Sequence, residues 1–157
     1  MTGWGYCNYH TAPNPPYCNQ WPGDNGKWPM VDALIEFYAQ RITELTAKYG
    51  GSVEWDVWSE PNDGPDLWQR SMPQFLATWA HIRNKIKSVM PNATVIGPSV
   101  NEFDAQFYTP NYKPAPTGQF LQTFLKFAKK TDTLPDVLSW HELGPPPVMI
   151  LRRTFVD

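Results

Sequence analysis

Ser52-Val53-Glu54-Trp55-Asp56-Val57-Trp58-Ser59-Glu60-Pro61-Asn62 joins a short apolar run to a carboxylate, a proline and an asparagine. Residues 52–58 are rich in Val and Trp and read as a β-strand buried on both faces. Glu60 then falls at the carboxyl end of that strand, where α/β folds gather the groups that bind and transform ligands. One Glu in such a place can serve as a general acid or base. Two of them facing each other can cleave a glycosidic bond.

Two further runs of the same kind follow, ATVIGP at 93–98 and DVLSW at 136–140. Each of the three is preceded by a segment with helical periodicity. Over 30–49, Val31, Leu34, Ile35, Tyr38, Ile42, Leu45 and Tyr49 step mostly by three and four and predict one apolar face, which Gly50-Gly51 terminates. Over 72–90, Phe75, Leu76, Trp79, Ile82, Ile86 and Val89 repeat the pattern, with Ser71 and Gln74 placed as a capping box and Pro91 as the stop. The third helix spans 118–130, with Phe120, Leu121, Phe124, Leu125 and Phe127 on its apolar side.

The order α-β-α-β-α-β, repeating at roughly 40 residues, implies right-handed crossovers and a parallel sheet. A doubly wound sheet would favour a Gly-rich phosphate loop after a strand. The strand ends here read SEPND, GPSVN and HELG. Glu, Asn and His at strand tips favour a (β/α)8 barrel instead. A barrel takes about 250 residues, and three strands leave two open edges. The expected architecture is therefore α/β, a partial (β/α)8 TIM barrel that is not very stable alone. It occupies residues 1–144, and residues 145–157 form an irregular tail or a non-native continuation.

Composition removes several function classes. The net charge of −2 offers no polybasic surface, so neither nucleic acid nor a membrane is expected as a partner. No apolar run approaches the ~20 residues of a spanning helix, and the amino terminus lacks the regions of a signal peptide. His and Cys are too few for a zinc site, so no metal and no cofactor is expected. Trp4, Tyr6, Tyr9, Tyr17 and Trp21 lie in a stretch rich in Pro and Asn; their rings either pack that loop onto the sheet or offer flat faces to sugar rings. Cys7 and Cys18 share this loop, as a disulfide in an oxidising, extracellular compartment or as two free thiols.

The segment 54–62 resembles the fourth-strand motif of glycoside hydrolase clan A, usually written W-N-E-P. Val95-Ile96-Gly97-Pro98 is similar to the fifth-strand segment of family 39, the β-xylosidase and α-L-iduronidase type. Phe124-Leu125-Lys126-Phe127 with Pro135-Asp136-Val137-Leu138-Ser139-Trp140-His141 resembles its fifth helix and sixth strand. The resemblance covers most of 20–143 and implies a segment running roughly from strand three to strand six. It makes Glu60 the acid/base of a retaining glycosidase, in which a second carboxylate about 5–5.5 Å away attacks the anomeric carbon. Such an acid must hold its proton near neutral pH, which burial or a negative neighbour achieves; Trp55, Trp58 and Trp68 suit that apolar setting.

The same resemblance implies substrate-binding roles for Ser59 and His141, and the aromatic rings of Trp58 and Trp4 are read as further substrate-binding residues. Ser59 stands where the clan has Asn, and Leu143 where family 39 tends to have Tyr, both departures that bear on the sugar bound. Glu102 and Glu142 match no nucleophile motif and read as loop carboxylates. The implied function is hydrolysis of O-glycosidic bonds, as in xylan, by a parent protein, with this segment inactive without its second carboxylate. The alternative is a non-catalytic carbohydrate-binding domain derived from a barrel.

Overall fold

A computed structural model describes residues 21–62, 67–68, 70–101 and 117–141. Trp4, Cys7, Cys18, Glu102, Glu142, Leu143 and the 145–157 tail lie outside the described residues. The elements alternate as α1 (Pro29–Tyr49), β1 (Glu54–Asp56), α2 (Met72–Val89), β2 (Thr94–Asn101), α3 (Thr117–Lys130) and β3 (Val137–His141). The strands pair in parallel in the order β1-β2-β3, with Trp55 beside Val95 and Asn101 beside His141. Strand order follows chain order, as it does in a barrel and on one side of the switch point of a doubly wound sheet. The described part is thus α/β, with a small parallel sheet.

Alternation along the strands divides the side chains between two faces. Trp55 and Val95 join the helices in one core with Phe75, Trp79, Ile82, Ile86, Phe124 and Ala128. Trp79 sits at its centre, fully buried, with its indole N–H donating to the Thr133 carbonyl at 2.7 Å and its ring edge-on to Phe124 at 4.8 Å. Gly97 passes directly beneath it. A Cβ built there would lie 2.4 Å from Trp79 Cζ3, and the φ of 154° is one that side-chain-bearing residues rarely adopt. The glycine is therefore required for strand and helix to approach this closely.

The helices follow their capping signals more closely than their apolar faces. The Ser71 hydroxyl accepts the Gln74 N–H at 3.4 Å and starts α2. The Gln74 side chain does not complete the capping box; it donates to Pro22 and Asp24 and holds the preceding segment. Helix α1 ends where Gly50, at φ 72°, donates its N–H to Thr46. Its buried row is narrower than its periodicity predicts. Val31, Ile35 and Ala39 are buried, while Tyr38, Leu45 and Tyr49 are 39%, 55% and 70% exposed. Among the described elements α1 packs mainly against α2, so one i, i+4 row is buried and the rest of the stripe faces outward.

The segment before α1 is tied down by one carboxylate. Asp24 accepts two hydrogen bonds at 2.9 Å from the Arg70 guanidinium, one from the Trp21 N–H and one from Gln74. The Arg70 pairing, the largest effect, lowers its pKa to about 2. Trp21 is thereby held in an aromatic cluster with Trp58 and Trp68, centroids 5.1–6.0 Å apart.

Candidate active site at the strand tips

Three strand ends converge on one polar cluster. Glu60 leaves β1 in a left-handed conformation, φ 51°, which costs a non-glycine residue about 1–3 kcal/mol unless its surroundings hold it. Two anchors on β2 hold it. The Glu60 N–H donates to the Ser99 carbonyl at 2.8 Å. Two residues on, the Asn62 side chain brackets the backbone of Asn101, donating to its carbonyl at 2.9 Å and accepting its N–H at 2.8 Å. The loop after β1 is therefore written onto the end of β2 as if it were an extra rung of the sheet.

The Glu60 carboxyl then meets β3. Its Oε1 lies 2.7 Å from His141 Nδ1, and the Glu60 side chain is only 13% exposed against 35% for His141. With Glu60 ionised the imidazole donates from Nδ1; with Glu60 protonated the carboxylic acid donates to a bare Nδ1. Either arrangement places one proton between the two groups and leaves Nε2 as the second polar atom of the ring. The two residues are 81 apart in sequence and meet because Asn101 aligns with His141 in the parallel register.

A second polar row lies one step down the sheet. The Ser99 hydroxyl donates to Asp56 Oδ2 at 2.8 Å and lies 2.7 Å from the Ser139 hydroxyl. With Asp56 ionised, its carboxylate only accepts, and Ser139 then donates to Ser99 in turn. Burial pushes the Asp56 carboxyl above its ordinary range, against the opposing pull of the Ser99 hydrogen bond, the Trp58 N–H and the nearby His141. Ser99 is 1% exposed and has φ 49°. It is the extra residue at which the β2–β3 register shifts.

The sequence-derived site is brought together in part. Glu60 and His141 are in contact, and Ser59 is half-buried beside Glu60. Trp58 corrects an expectation. It is 2% exposed, its indole N–H donates to the Leu67 carbonyl at 3.0 Å, and Trp68 packs edge-on against it, so its ring presents no face to a ligand. It belongs to the apolar setting under the site. The roles of Asp56, Ser99 and Ser139 were not legible in advance. The one signal for Asp56 was a charged residue between Trp55 and Val57 in an otherwise apolar strand. Among the described residues, no group of three His, Cys, Asp or Glu could hold a metal ion, and no helix is long and apolar enough to cross a membrane.

Comparison with solved structures bears on the fold. The GH39 enzyme from Xanthomonas axonopodis pv. citri superposes with a TM-score of 0.51 at 20% identity, over 72% of this chain and 20% of that one. In fold, the chain is similar to part of a GH39 enzyme. That is the family whose motifs the strand ends resemble. The GH39 β-xylosidase from Caulobacter crescentus gives a TM-score of 0.48 at 20% identity, over 71% of this chain and 23% of that one. The structure of N2152 from Neocallimastix frontalis gives 0.49 at 24% identity, over 78% of this chain and 27% of that one. The chain thus spans 20–27% of the length of these solved chains. No protein-family model matches it, and no curated protein sequence does.

Proposed function

We propose that this chain is the acid/base segment of a retaining glycoside hydrolase, corresponding to strands three to six of a (β/α)8 barrel. The observation that carries the proposal is the Glu60–His141 pair, 2.7 Å apart at the carboxyl ends of parallel strands. The Glu60 side chain is largely enclosed, and its backbone is held by the Ser99 carbonyl at a defined height above the sheet. In this reading its carboxylic acid protonates the departing glycosidic oxygen and later, as a carboxylate, takes a proton from the water that completes hydrolysis. His141 Nε2 and the Ser59 hydroxyl reach sugar hydroxyls, with Ser59 a shorter contact than the asparagine of the clan motif. Trp4 is proposed as a further ring for the sugar.

The attacking carboxylate is assigned to no residue of this chain. A retaining displacement needs it about 5–5.5 Å from the acid, and Asp56 is already engaged by Ser99 below the site. The substrate proposed is a plant-type polysaccharide such as xylan. The test uses a reconstructed full-length barrel in which this segment is joined to the remaining strands, assayed on aryl β-xylosides with good and poor leaving groups. Glu60→Ala should cost the poor leaving group about 10²–10⁴-fold, the usual worth of general acid catalysis. On the good one it should spare kcat/KM but lower kcat, because the base of the second step is lost, and azide should restore that turnover as a glycosyl azide of retained configuration. Equal losses on both substrates with no azide product would overturn the assignment.

A further inference from the structure

Glu60 and Ser99 are both non-glycine residues in the left-handed region, φ 51° and 49°, and they are joined by a 2.8 Å hydrogen bond from the Glu60 N–H to the Ser99 carbonyl. Two adjacent strained residues that hold each other are costly unless a third contact fixes one of them. Ser99 has that contact twice over. Its hydroxyl is bonded to Asp56 on β1 and to Ser139 on β3, at 2.8 and 2.7 Å, and it is almost wholly buried. Its backbone therefore cannot relax out of the bulge without breaking two buried hydrogen bonds, each costly to leave unmade.

We infer that Ser99 is the positioning residue of this site: pinned by Asp56 and Ser139, its carbonyl sets the Glu60 backbone so that the carboxyl meets His141 Nδ1. Four facts fit together only in this order. The bulge turns the Ser99 hydroxyl and carbonyl toward neighbouring strands at once. The carbonyl is the backbone acceptor that fixes Glu60. The next residue on the same face, Asn101, is gripped by Asn62, so the loop is held on both sides of Glu60. His141 is the register partner of Asn101. Strand β2 is thus the ruler against which acid and imidazole are aligned. Ser99 touches neither substrate nor reacting atoms. Its influence runs through the backbone of Glu60.

The inference builds on the proposed acid/base role but is tested without turnover. The 157-residue chain is labelled with ¹⁵N-histidine, and the imidazole nitrogens of His141 are followed by NMR at pH 8. The wild-type chain should show one dominant form with the proton on Nδ1, held by the Glu60 carboxylate. Glu60→Ala should lose that signature. Ser99→Ala should lose it too, although its own side chain is two hydrogen bonds away from the ring. Ser99→Gly removes the same hydroxyl while easing the positive φ, so it keeps the test valid if the alanine variant unfolds. Asp56→Asn still offers an acceptor to Ser99 and should keep the Nδ1–H form.

An unchanged signature in both Ser99 variants, alongside its loss in Glu60→Ala, would overturn the positioning role and leave the acid/base proposal standing. An unchanged signature in all variants, Glu60→Ala included, would overturn the Glu60–His141 contact and both proposals with it. Loss in Asp56→Asn as well would show that any disturbance of this row has the same effect, and would also count against the inference.

Discussion

Replacing Gly97 with alanine should be among the most damaging single changes in this chain, and the cause can be isolated. The new methyl would meet Trp79 Cζ3 at 2.4 Å and Cη2 at 2.8 Å, well inside van der Waals contact. Trp79 cannot swing away cheaply, because it is fully buried, bonded to Thr133 and edge-on to Phe124. Overpacking of this kind costs about 1–3 kcal/mol, and the unusual φ adds about 1–3 kcal/mol. The expected loss is about 2–6 kcal/mol, a large part of the 5–15 kcal/mol of a typical domain.

Trp79→Phe separates the two terms. It removes the outer ring atoms that the methyl would strike but leaves the backbone strain in place. Urea unfolding of the four proteins of the cycle, followed by far-UV circular dichroism, should give a coupling of about 1–3 kcal/mol in the relieving direction. The Gly97→Ala cost should fall in the Trp79→Phe background to the strain alone. A cost of under 0.5 kcal/mol, or an equal cost in both backgrounds, would refute the close approach of β2 to α2.

Three further outcomes follow from the polar contacts. Because the Asp24 pKa is lowered to about 2 by Arg70, its pairing stabilises the fold above the unfolded carboxylate range and is lost as pH falls from about 4 towards 2. Both side chains keep a quarter to a third of their exposure, so solvent screening limits the contribution to about 1 kcal/mol; Arg70→Ala should abolish it at pH 7 and cost less at pH 2 in urea titrations, where the loss of its contact over the Trp21 ring remains. Burial raises the Asp56 pKa, so Asp56 favours the folded state at acid pH and progressively less as pH rises through its folded-state value. Asp56→Asn should therefore stabilise the chain at pH 7 and lose that advantage at pH 3, as read from thermal midpoints. Asn62→Ala removes both hydrogen bonds to Asn101 and should cost about 1–3 kcal/mol, with faster hydrogen exchange at the Asn101 amide as the specific mark.

Much of the fold was legible in the sequence because its signals are local. Among the described residues, the α-helices and strands lie within a few residues of the ranges read from apolar periodicity, and Gly50 and Ser71 end and begin helices as their chemistry requires. The differences arise where a neighbour decides. Helix α1 buries one row instead of a broad face, and β1 is only three residues long while β2 runs through Asn101. Trp58 looked like a ring available to a ligand and is a core residue, since adjacency to Glu60 in sequence says nothing of which way the ring turns. Asp56 was marked only by its charge within an apolar strand, and Ser99 only by its place at a strand end.

The sequence by itself determined the alternation of helices and strands, their parallel sense, and a glutamate at the end of the first strand. Periodicity and chain order suffice for those, because they depend on contacts within an element or on the handedness of one crossover. Only the tertiary structure decided that Glu60 meets His141, that Ser99 sits in a bulge between Asp56 and Ser139, and that Gly97 lies under Trp79. Those pairings join residues some 18 to 81 positions apart. They are set by strand register, in which a shift of one residue turns every side chain to the opposite face.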